Sequence, residues 1–337
     1  MKKHINIPIF IPHVGCPNAC VFCNQRKISG HARFEKYAVR EELERAFSTV
    51  DGTLPTQIAY FGGSFTGIDR TEMTELLAVA NEYIENGRCE SIRISTRPDY
   101  IDREILDILR EYRVTSVELG IQSTDASVLR ACMRGHTAEY SFRAASLVKE
   151  YGFELIGQMM VGLPASDEEK ERKTALDICR MGADGARIYP TVVFAETALA
   201  DMTASGLYQP LTKETSVIRA ANALSVFLAH DVPVIRLGLQ SGEALENGDG
   251  VVAGGYHPAV GELAYSECFR DMLEKALEKT ETAGKTALVR AHTSDVSKVI
   301  GQRGANRIYF IRQFQLRDFR VVPDGSAVKN HPTVSIL

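Results

Sequence analysis

The sequence predicts an α/β protein in which helices cover a parallel β-sheet, followed by a small α+β module near the C-terminal end. Apolar runs rich in β-branched residues alternate with amphipathic helical patterns from residue 5 to about residue 193. Repeated strand–helix units at this spacing form parallel sheets with right-handed crossovers. With 337 residues, 45% of them hydrophobic, the chain can bury one large core and an accessory module.

The individual elements follow from the period of the hydrophobic residues. The predicted strands cover residues 5–13, 57–61, 91–96, 116–122, 154–161 and 186–193. The predicted helices between them cover residues 40–50, 71–85, 103–112, 140–151 and 168–181. Further along, the patterns predict a helix at 217–230, a strand at 234–239 and a charged amphipathic helix at 267–281. Six strand units are fewer than the eight of a closed (β/α) barrel.

Composition excludes several classes of protein. The net charge of −4 gives no overall nucleic-acid signature, so any such role must come from a local basic patch. The sequence has no apolar run long enough to span a membrane and no signal-peptide pattern, which predicts a cytoplasmic protein without a membrane partner. Cys89, Cys132, Cys179 and Cys268 lie far apart, as small core residues do, and no chemistry is assigned to them.

Three cysteines lie within eight residues, directly after the first predicted strand. Cys16, Cys20 and Cys23 have the spacing C-x3-C-x2-C, and Pro17 and Asn18 favour a loop between the first two. Closely spaced cytosolic thiols are more often metal or redox groups than disulfides, and thiolates suit iron–sulfur clusters or zinc. Three ligands leave one position of a tetrahedral site open, as catalytic metal sites do. The alternative is a structural zinc site with His13 as the fourth ligand.

The cysteine spacing, with an aromatic residue just before Cys23, resembles the radical S-adenosylmethionine superfamily. The resemblance implies that Cys16, Cys20 and Cys23 bind three irons of a 4Fe–4S cluster, whose fourth iron chelates S-adenosylmethionine. It implies cleavage of that cofactor to a 5′-deoxyadenosyl radical, which abstracts a hydrogen from the substrate. It further implies a partial (β/α)6 TIM-like barrel and a flavodoxin- or ferredoxin-like reductant.

Polar and glycine residues follow the predicted strands, where the working residues of such barrels lie. The resemblance implies that the glycine pair after the second strand contacts the amino group of S-adenosylmethionine, while Gln122 suits a ribose hydroxyl. A planar guanidinium at Arg134 suits the cofactor carboxylate. His136 is a weaker candidate beside it. The predicted cofactor-binding residues are Gly62, Gly63, Ser64, Ser95, Arg97, Gln122, Arg134 and Gln158.

A narrower resemblance covers roughly residues 5–210. The segments F-G-G-S-F-T, I-S-T-R-P-D, E-L-G-I-Q-S, R-G-H-T, M-V-G-L-P and I-Y-P-T are similar to the radical domain of the Elongator catalytic subunit, which modifies the wobble uridine of tRNA. That subunit spaces its first two cysteines farther apart; the spacing here is shared with oxygen-independent coproporphyrinogen oxidase. The subunit also continues into an acetyltransferase domain, for which this chain has too few residues left.

The C-terminal end carries a second pattern. A strand at 286–293, a helix at 295–300, the loop Gly301-Gln302-Arg303-Gly304, a helix at 305–314 and a strand at 319–322 follow one another. This layout resembles a KH core, whose G-x-x-G loop clamps the backbone of single-stranded nucleic acid. Lys298, Arg303 and Arg307 surround the loop and, with Gly301 and Gly304, are the predicted nucleic-acid-binding residues. Alternatively, Gly301 is an ordinary helix C-cap.

These expectations give three parts and one leading function. Residues 1–240 form the barrel, 241–285 a glycine-rich loop with His257 and a linker helix, and 286–337 the KH-like module. The chain is expected to be a radical S-adenosylmethionine enzyme that modifies RNA, most plausibly tRNA. One alternative is a radical enzyme for a small molecule such as a porphyrinogen. The other is a non-catalytic RNA-binding protein with a structural metal site.

Overall fold

A computed structural model describes residues 4–11, 15–16, 20–24, 36–50, 52–239 and 250–337. Within these ranges, the first nine strands are β1 (Ile5–Ile11), β2 (Thr56–Gly62), β3 (Ser91–Thr96), β4 (Val114–Gln122), β5 (Glu154–Val161), β6 (Gly185–Pro190), β7 (Val192–Phe194), β8 (Val234–Leu237) and β9 (Val251–Gly254). Seven of them form one parallel sheet in the order β1-β2-β3-β4-β5-β6-β8. This confirms the predicted α/β partial barrel, with β8 as a seventh strand.

Helices connect the strands of the sheet. In chain order they are α1 (Val39–Phe47), α2 (Arg70–Glu85), α3 (Arg103–Glu111), α4 (Ala126–Ala131), α5 (Ala138–Glu150), α6 (Glu168–Arg180), α7 (Ala198–Ala204) and α8 (Lys213–Ala229). Several begin at an N-cap whose side chain accepts a backbone hydrogen bond, such as Asp102, which accepts from the N–H of Ile105 at 2.8 Å. The apolar faces of these helices pack on the sheet and form the main core.

The predicted strand at 186–193 is divided in the structure into β6 and β7. Thr191 separates them, because both its N–H and its hydroxyl donate to the carbonyl of Val161, at 2.9 Å and 2.8 Å. The chain leaves the parallel sheet here, and β7 pairs with β9 in an antiparallel arrangement. This small second sheet places apolar side chains over the carboxyl ends of the barrel strands.

The C-terminal part is a three-stranded sheet packed on helices. Its elements are α9 (Val260–Leu277), β10 (Thr286–Ala291), α10 (Val296–Ile300), α11 (Ala305–Gln313), β11 (Asp318–Pro323) and β12 (Thr333–Ile336). Strand β10 lies between β11, which is parallel to it, and β12, which is antiparallel. Strand β12 was not predicted from the sequence.

Helix α9 contributes to both cores. Ala264 and Cys268 pack with the barrel core, whereas Phe269, Leu273 and Leu277 pack with the C-terminal sheet. The helix begins seven residues before the predicted start at 267 and ends before 281. In the part of the chain described above, no helix combines the length and apolar character needed to cross a membrane.

Candidate active site

A cavity of about 210 Å³ lies at the carboxyl ends of the barrel strands. Phe10 on β1 and Arg236 on β8 both line it, so the sheet curves until its first and last strands face a common space. The other lining residues come from the cysteine segment, the strand ends and the small second sheet: Phe22, Cys23, Phe61, Gly62, Ser95, Glu118, Gln122, Gln158, Met160, Arg187, Tyr189, Pro190, Val192, Phe194 and Leu239. Four predicted cofactor contacts therefore share one cavity with a predicted metal ligand.

The end of the cysteine segment is held by backbone hydrogen bonds. The N–H of Val21 donates to the carbonyl of Cys132 at 3.2 Å, and the N–H of Leu199 donates to the carbonyl of Val21 at 2.8 Å. Cys20 is buried, Cys23 is half-buried and the N–H of Cys23 donates to the carbonyl of Cys20 at 3.0 Å. The segment is thus fixed between the end of α4 and the start of α7. His13, the alternative fourth zinc ligand, lies outside the described residues.

The beginning of the cysteine segment packs backbone to backbone against the loop after β2. A Cβ atom on Gly67 would overlap the carbonyl oxygen of Gly15, and a Cβ on Gly15 would overlap the carbonyl oxygen of Ser64. Gly15 also has a φ of +75°, which favours glycine. Only glycines allow the two loops this close approach.

We therefore expect Gly67→Ala to separate the cysteine segment from the loop after β2. Overpacking of this kind typically costs about 1–3 kcal/mol, so the urea midpoint of unfolding should fall, and iron retained per chain after anaerobic reconstitution should fall with it. Gly325→Ala is the matched control, because a Cβ there meets open space. Unchanged iron content in Gly67→Ala would contradict the role given to this contact.

Two buried arginines lie beside the cysteines. Arg134 donates from Nη1 to the Sγ of Cys20 at 3.2 Å and from Nη2 to the carbonyl of Gly120. Arg97 forms a bidentate pair with Asp99, at 3.0 Å and 2.8 Å, and donates to the carbonyl of Arg134 at 2.5 Å. The Nη1 of Arg97 is buried and has no hydrogen-bond acceptor among the described residues. The two guanidinium groups place positive charge next to the thiols.

The remaining predicted residues of this region occupy different positions. Ser64 is fully buried, shares a hydrogen bond of 2.8 Å with the hydroxyl of Thr96, and accepts from the N–H of Arg97 at 3.2 Å. Gly63 donates its N–H to the carbonyl of Ile11 at 2.7 Å. His136 is buried, and burial together with the charge of Arg134 lowers its pKa to about 4. Ser64, Gly63 and His136 do not belong to the cavity lining.

Gln122 ends β4 in an unusual conformation. Its φ of +64° lies in the left-handed region, and its Oε1 is buried without a donor in the described part of the chain. Its Nε2 lies near Gly120, where an added Cβ would be 3.5 Å away. A strained residue with an unsatisfied buried acceptor is typical of a site prepared for a ligand with a hydrogen-bond donor.

A buried ionic network forms the polar wall of the cavity. Both carboxylate oxygens of Glu118, which is 0% exposed, accept from Arg187 at 2.8 Å, while Arg93 donates to Oε1 at 3.1 Å. Gln158 donates to Oε2 at 2.7 Å. Burial acts to lower the pKa of Arg187, and the charge of Glu118, with Tyr189, raises it further than burial lowers it.

Sequence reasoning missed Glu118, Arg93 and Arg236 as functional candidates. The sequence did contain a signal for them, because each is a charged residue within an otherwise apolar strand. Such residues are rarely buried unless they are paired.

The predicted nucleic-acid contacts have unequal surroundings. Lys298 lies 4.4 Å from the ring centre of Tyr265 and pairs with Asp295 at 3.2 Å. Arg307 pairs with Asp318 at 3.0 Å on the surface. Arg303, with a φ of +54°, is exposed and forms no ion pair within the described ranges.

The glycines of this loop differ as well. Gly301 is buried against Asn306, whose amide donates to the carbonyl of Ser266 at 2.8 Å, while the Cα of Gly304 faces open space. The loop is therefore anchored on α9 and presents Arg303 and Gly304. His257, which belongs to the predicted glycine-rich loop, accepts from the N–H of Ala259 at 3.1 Å and does not line the barrel cavity.

The described residues contain no group of three metal-ligating side chains close enough to hold a metal ion, so the fit to an iron–sulfur cluster depends on the type of the donors. The donor set of three thiols is soft, which suits iron–sulfur ligation. The unsatisfied atoms of Arg97 and Gln122 offer a donor and an acceptor, as a zwitterionic ligand with hydroxyl groups needs. Cys23 and Gln122 line the same cavity.

Comparison with known proteins agrees with this geometry. The model of the radical SAM superfamily matches residues 10–178, half of the chain, and the model of the radical SAM C-terminal domain matches residues 183–270. A tRNA uridine(34) acetyltransferase of Methanocaldococcus jannaschii is 32% identical over 166 residues, which are 48% of this chain and 30% of that protein. Elongator complex protein 3 of Danio rerio is 30% identical, over 48% of this chain and 30% of its own length.

Two further comparisons cover more of the chain. An uncharacterised protein of Methanocaldococcus jannaschii is 26% identical over 69% of this chain and 74% of its own length. The solved structure of the archaeal Methanocaldococcus infernus Elp3 has a TM-score of 0.62 at 22% identity, covering 82% of this chain and 64% of that one. The similarity to the solved structure supports the fold. Because the family model matches half of the sequence, the chain belongs to the radical SAM superfamily and is one of its enzymes.

Proposed function

We propose that this enzyme holds a 4Fe–4S cluster at Cys16, Cys20 and Cys23, binds S-adenosylmethionine in the barrel cavity and modifies RNA, with tRNA as the substrate. The observation that carries the proposal is the shared cavity, in which Cys23 lies with Gln122 and Gln158 at the carboxyl ends of the strands. The cluster and cofactor together would supply a 5′-deoxyadenosyl radical.

The chain's own residues bind, orient and shield. Gln122 accepts a ribose hydroxyl at its unsatisfied Oε1, and Arg97 offers its unsatisfied Nη1 to the cofactor carboxylate, with Arg134 beside it. Arg134 also donates from Nη1 to the Sγ of Cys20 and so orients this proposed cluster ligand. Phe22 and Phe61 line the cavity and restrict water around a reactive intermediate. A flavodoxin- or ferredoxin-like protein is the proposed reductant.

Support for an RNA substrate comes from two sources. Relatives that match nearly half of this chain are named tRNA uridine(34) acetyltransferase, although the match spans only 30% of the length of the first of them. The G-x-x-G loop exposes Arg303 at its turn, where a phosphate contact would need a cation. No acetyl transfer is proposed.

The experiment is anaerobic reconstitution with iron and sulfide, then dithionite and S-adenosylmethionine, with 5′-deoxyadenosine measured with and without bulk tRNA. Stimulation by intact tRNA, lost after ribonuclease digestion, is the expected result. Cleavage that is indifferent to tRNA would overturn the RNA assignment and move the search to small molecules such as porphyrinogens. RNA binding without cleavage or iron would favour a non-catalytic RNA-binding protein.

Arg303→Ala is expected to weaken tRNA retention and its stimulation of cleavage, without changing tRNA-independent cleavage. The logarithm of the binding constant falls linearly with the logarithm of the salt concentration, and one lost phosphate contact on a single strand should lower that slope by about 0.7. Arg172→Ala, which removes an exposed arginine from α6, is the matched control. Filter binding at several salt concentrations measures both quantities. Equal slopes for the two variants would remove the loop from the RNA-binding surface.

A further inference from the structure

Arg236 lines the cavity and donates hydrogen bonds to two backbone carbonyls. It donates from Nε to the carbonyl of Gly238 at 3.2 Å and from Nη2 to the carbonyl of Leu239 at 2.8 Å. Neutral carbonyls orient the guanidinium but do not balance its charge. Within the described ranges Arg236 forms no ion pair, although it lines the cavity at the end of β8.

The acidic side chain in the cavity lining already accepts several hydrogen bonds. Among the described residues, Glu118 is the acidic member of that lining, and it accepts four hydrogen bonds, three of them from Arg187 and Arg93. Among the described lining residues, two arginines, Arg187 and Arg236, lie with one carboxylate, and that carboxylate is already paired with Arg187. Arg93, which donates to the same carboxylate, also pairs with Glu154 at 2.8 Å.

The two cavity arginines are neighbours across the sheet. Arg187 on β6 is the register partner of Arg236 on β8, so both side chains leave the same face of the sheet. Two adjacent like charges disfavour each other unless an anion lies close to them. Arg187 has that anion in Glu118, and Arg236 has none in the described structure.

Apolar and aromatic groups form the remaining wall near Arg236. Leu239, Val192 and Phe194 lie in the same lining, and Phe61 has the Arg187 guanidinium 5.5 Å from its ring centre. A guanidinium in a partly apolar cavity binds oxyanions more strongly than it does in water, because its surroundings have a lower dielectric constant.

We propose that Arg236 is the anion-binding residue of a substrate subsite, which takes a carboxylate or phosphate group attached to an apolar or planar body. This inference rests on the proposed function for the reaction at the site and deepens it by giving the substrate a negatively charged group. Arg236 is a different residue from the proposed S-adenosylmethionine contacts, and it lines the same cavity as two of them, Gln122 and Gln158.

The test is calorimetric titration of the anaerobically reconstituted enzyme, saturated with S-adenosylmethionine, with inorganic phosphate and separately with acetate. Ionic strength is held constant with chloride. We expect at least one of the two anions to bind, and Arg236→Gln to weaken that binding about tenfold or more, as loss of a charge-assisted hydrogen bond does. Arg236→Lys keeps the positive charge but lacks the planar guanidinium, so its affinity for the anion should lie between those of the unmodified enzyme and Arg236→Gln. Preference for phosphate or for acetate identifies which oxyanion the substrate carries.

Arg172→Gln is the control for a general effect of net charge and should bind like the unmodified enzyme. The urea midpoint of each variant verifies folding, and Arg236→Lys keeps the test valid if Arg236→Gln unfolds. Equal binding by the Arg236 variants and the unmodified enzyme would overturn the subsite, and so would the absence of binding by either anion. If S-adenosylmethionine itself displaced the anion, Arg236 would belong to the cofactor site and the inference would be wrong.

The two proposals fail separately. Loss of Arg236-dependent anion binding leaves S-adenosylmethionine cleavage intact, whereas an enzyme that does not cleave the cofactor can still bind phosphate or acetate at Arg236.

Discussion

Cys23→Ala is expected to abolish both iron retention and 5′-deoxyadenosine formation. Cys23 is one of three predicted cluster ligands and lines the cavity directly. The variant would keep only two of the three cysteine ligands, and the cluster needs all three. Iron and sulfide per chain, the visible absorbance of the cluster and cofactor cleavage should therefore all fall to background together.

Cys179→Ala is the matched control for this experiment. Cys179 is half-buried like Cys23, but it lies on α6 away from the cavity. Its replacement should leave iron content and cleavage unchanged. Full iron content and full activity in Cys23→Ala would contradict the ligand assignment, and stoichiometric zinc in place of iron in the purified protein would favour the structural zinc site.

The second large effect is expected on stability, from Glu118→Gln. Glu118 and Arg93 are each 0% exposed, and removal of the carboxylate charge leaves Arg187 buried without its counterion, while Arg93 retains its pair with Glu154 at 2.8 Å. Breaking one side of a buried ion pair typically costs about 3–5 kcal/mol. A large drop in the urea midpoint should follow, and the cavity wall should reorganise because Gln158 loses its charged acceptor as well.

Glu150→Gln provides the comparison on the surface. Glu150 accepts both hydrogen bonds of a bidentate pair with Arg103, at 2.8 Å and 2.9 Å, but its side chain is 52% exposed. Exposed pairs contribute about 0–1 kcal/mol. The urea midpoints of the two variants measure the difference that burial makes to the same substitution.

A double-mutant cycle tests the assignment further. Arg187→Gln combined with Glu118→Gln should be less destabilised than the sum of the single variants, because the two side chains no longer leave each other's charge unpaired. Additive effects, or a Glu118→Gln midpoint close to that of Glu150→Gln, would show that the network does not stabilise the barrel.

Much of the fold was predictable because its signals are local. Strand and helix periodicity located the barrel elements to within a few residues, as with β3 and β5, whose bounds match the prediction. The division of the strand at 186–193 was not predictable, since it depends on two hydrogen bonds from Thr191 to a residue of another strand. Strand β12 has the same explanation, because it is defined by pairing with β10, more than 40 residues earlier.

The candidate site also has features that were predictable from the sequence and features that were not. The family, the cysteine segment and the polar residues at the strand ends were predictable, because they are features of residue type and spacing along the chain. The contact between Arg134 and Cys20, 114 residues apart, was not predictable, and neither was the position of Arg187 beside Arg236 with Glu118 paired to Arg187. The reason is physical: strand order and sheet curvature set which side chains meet, and charge compensation depends on those distances rather than on the sequence between them.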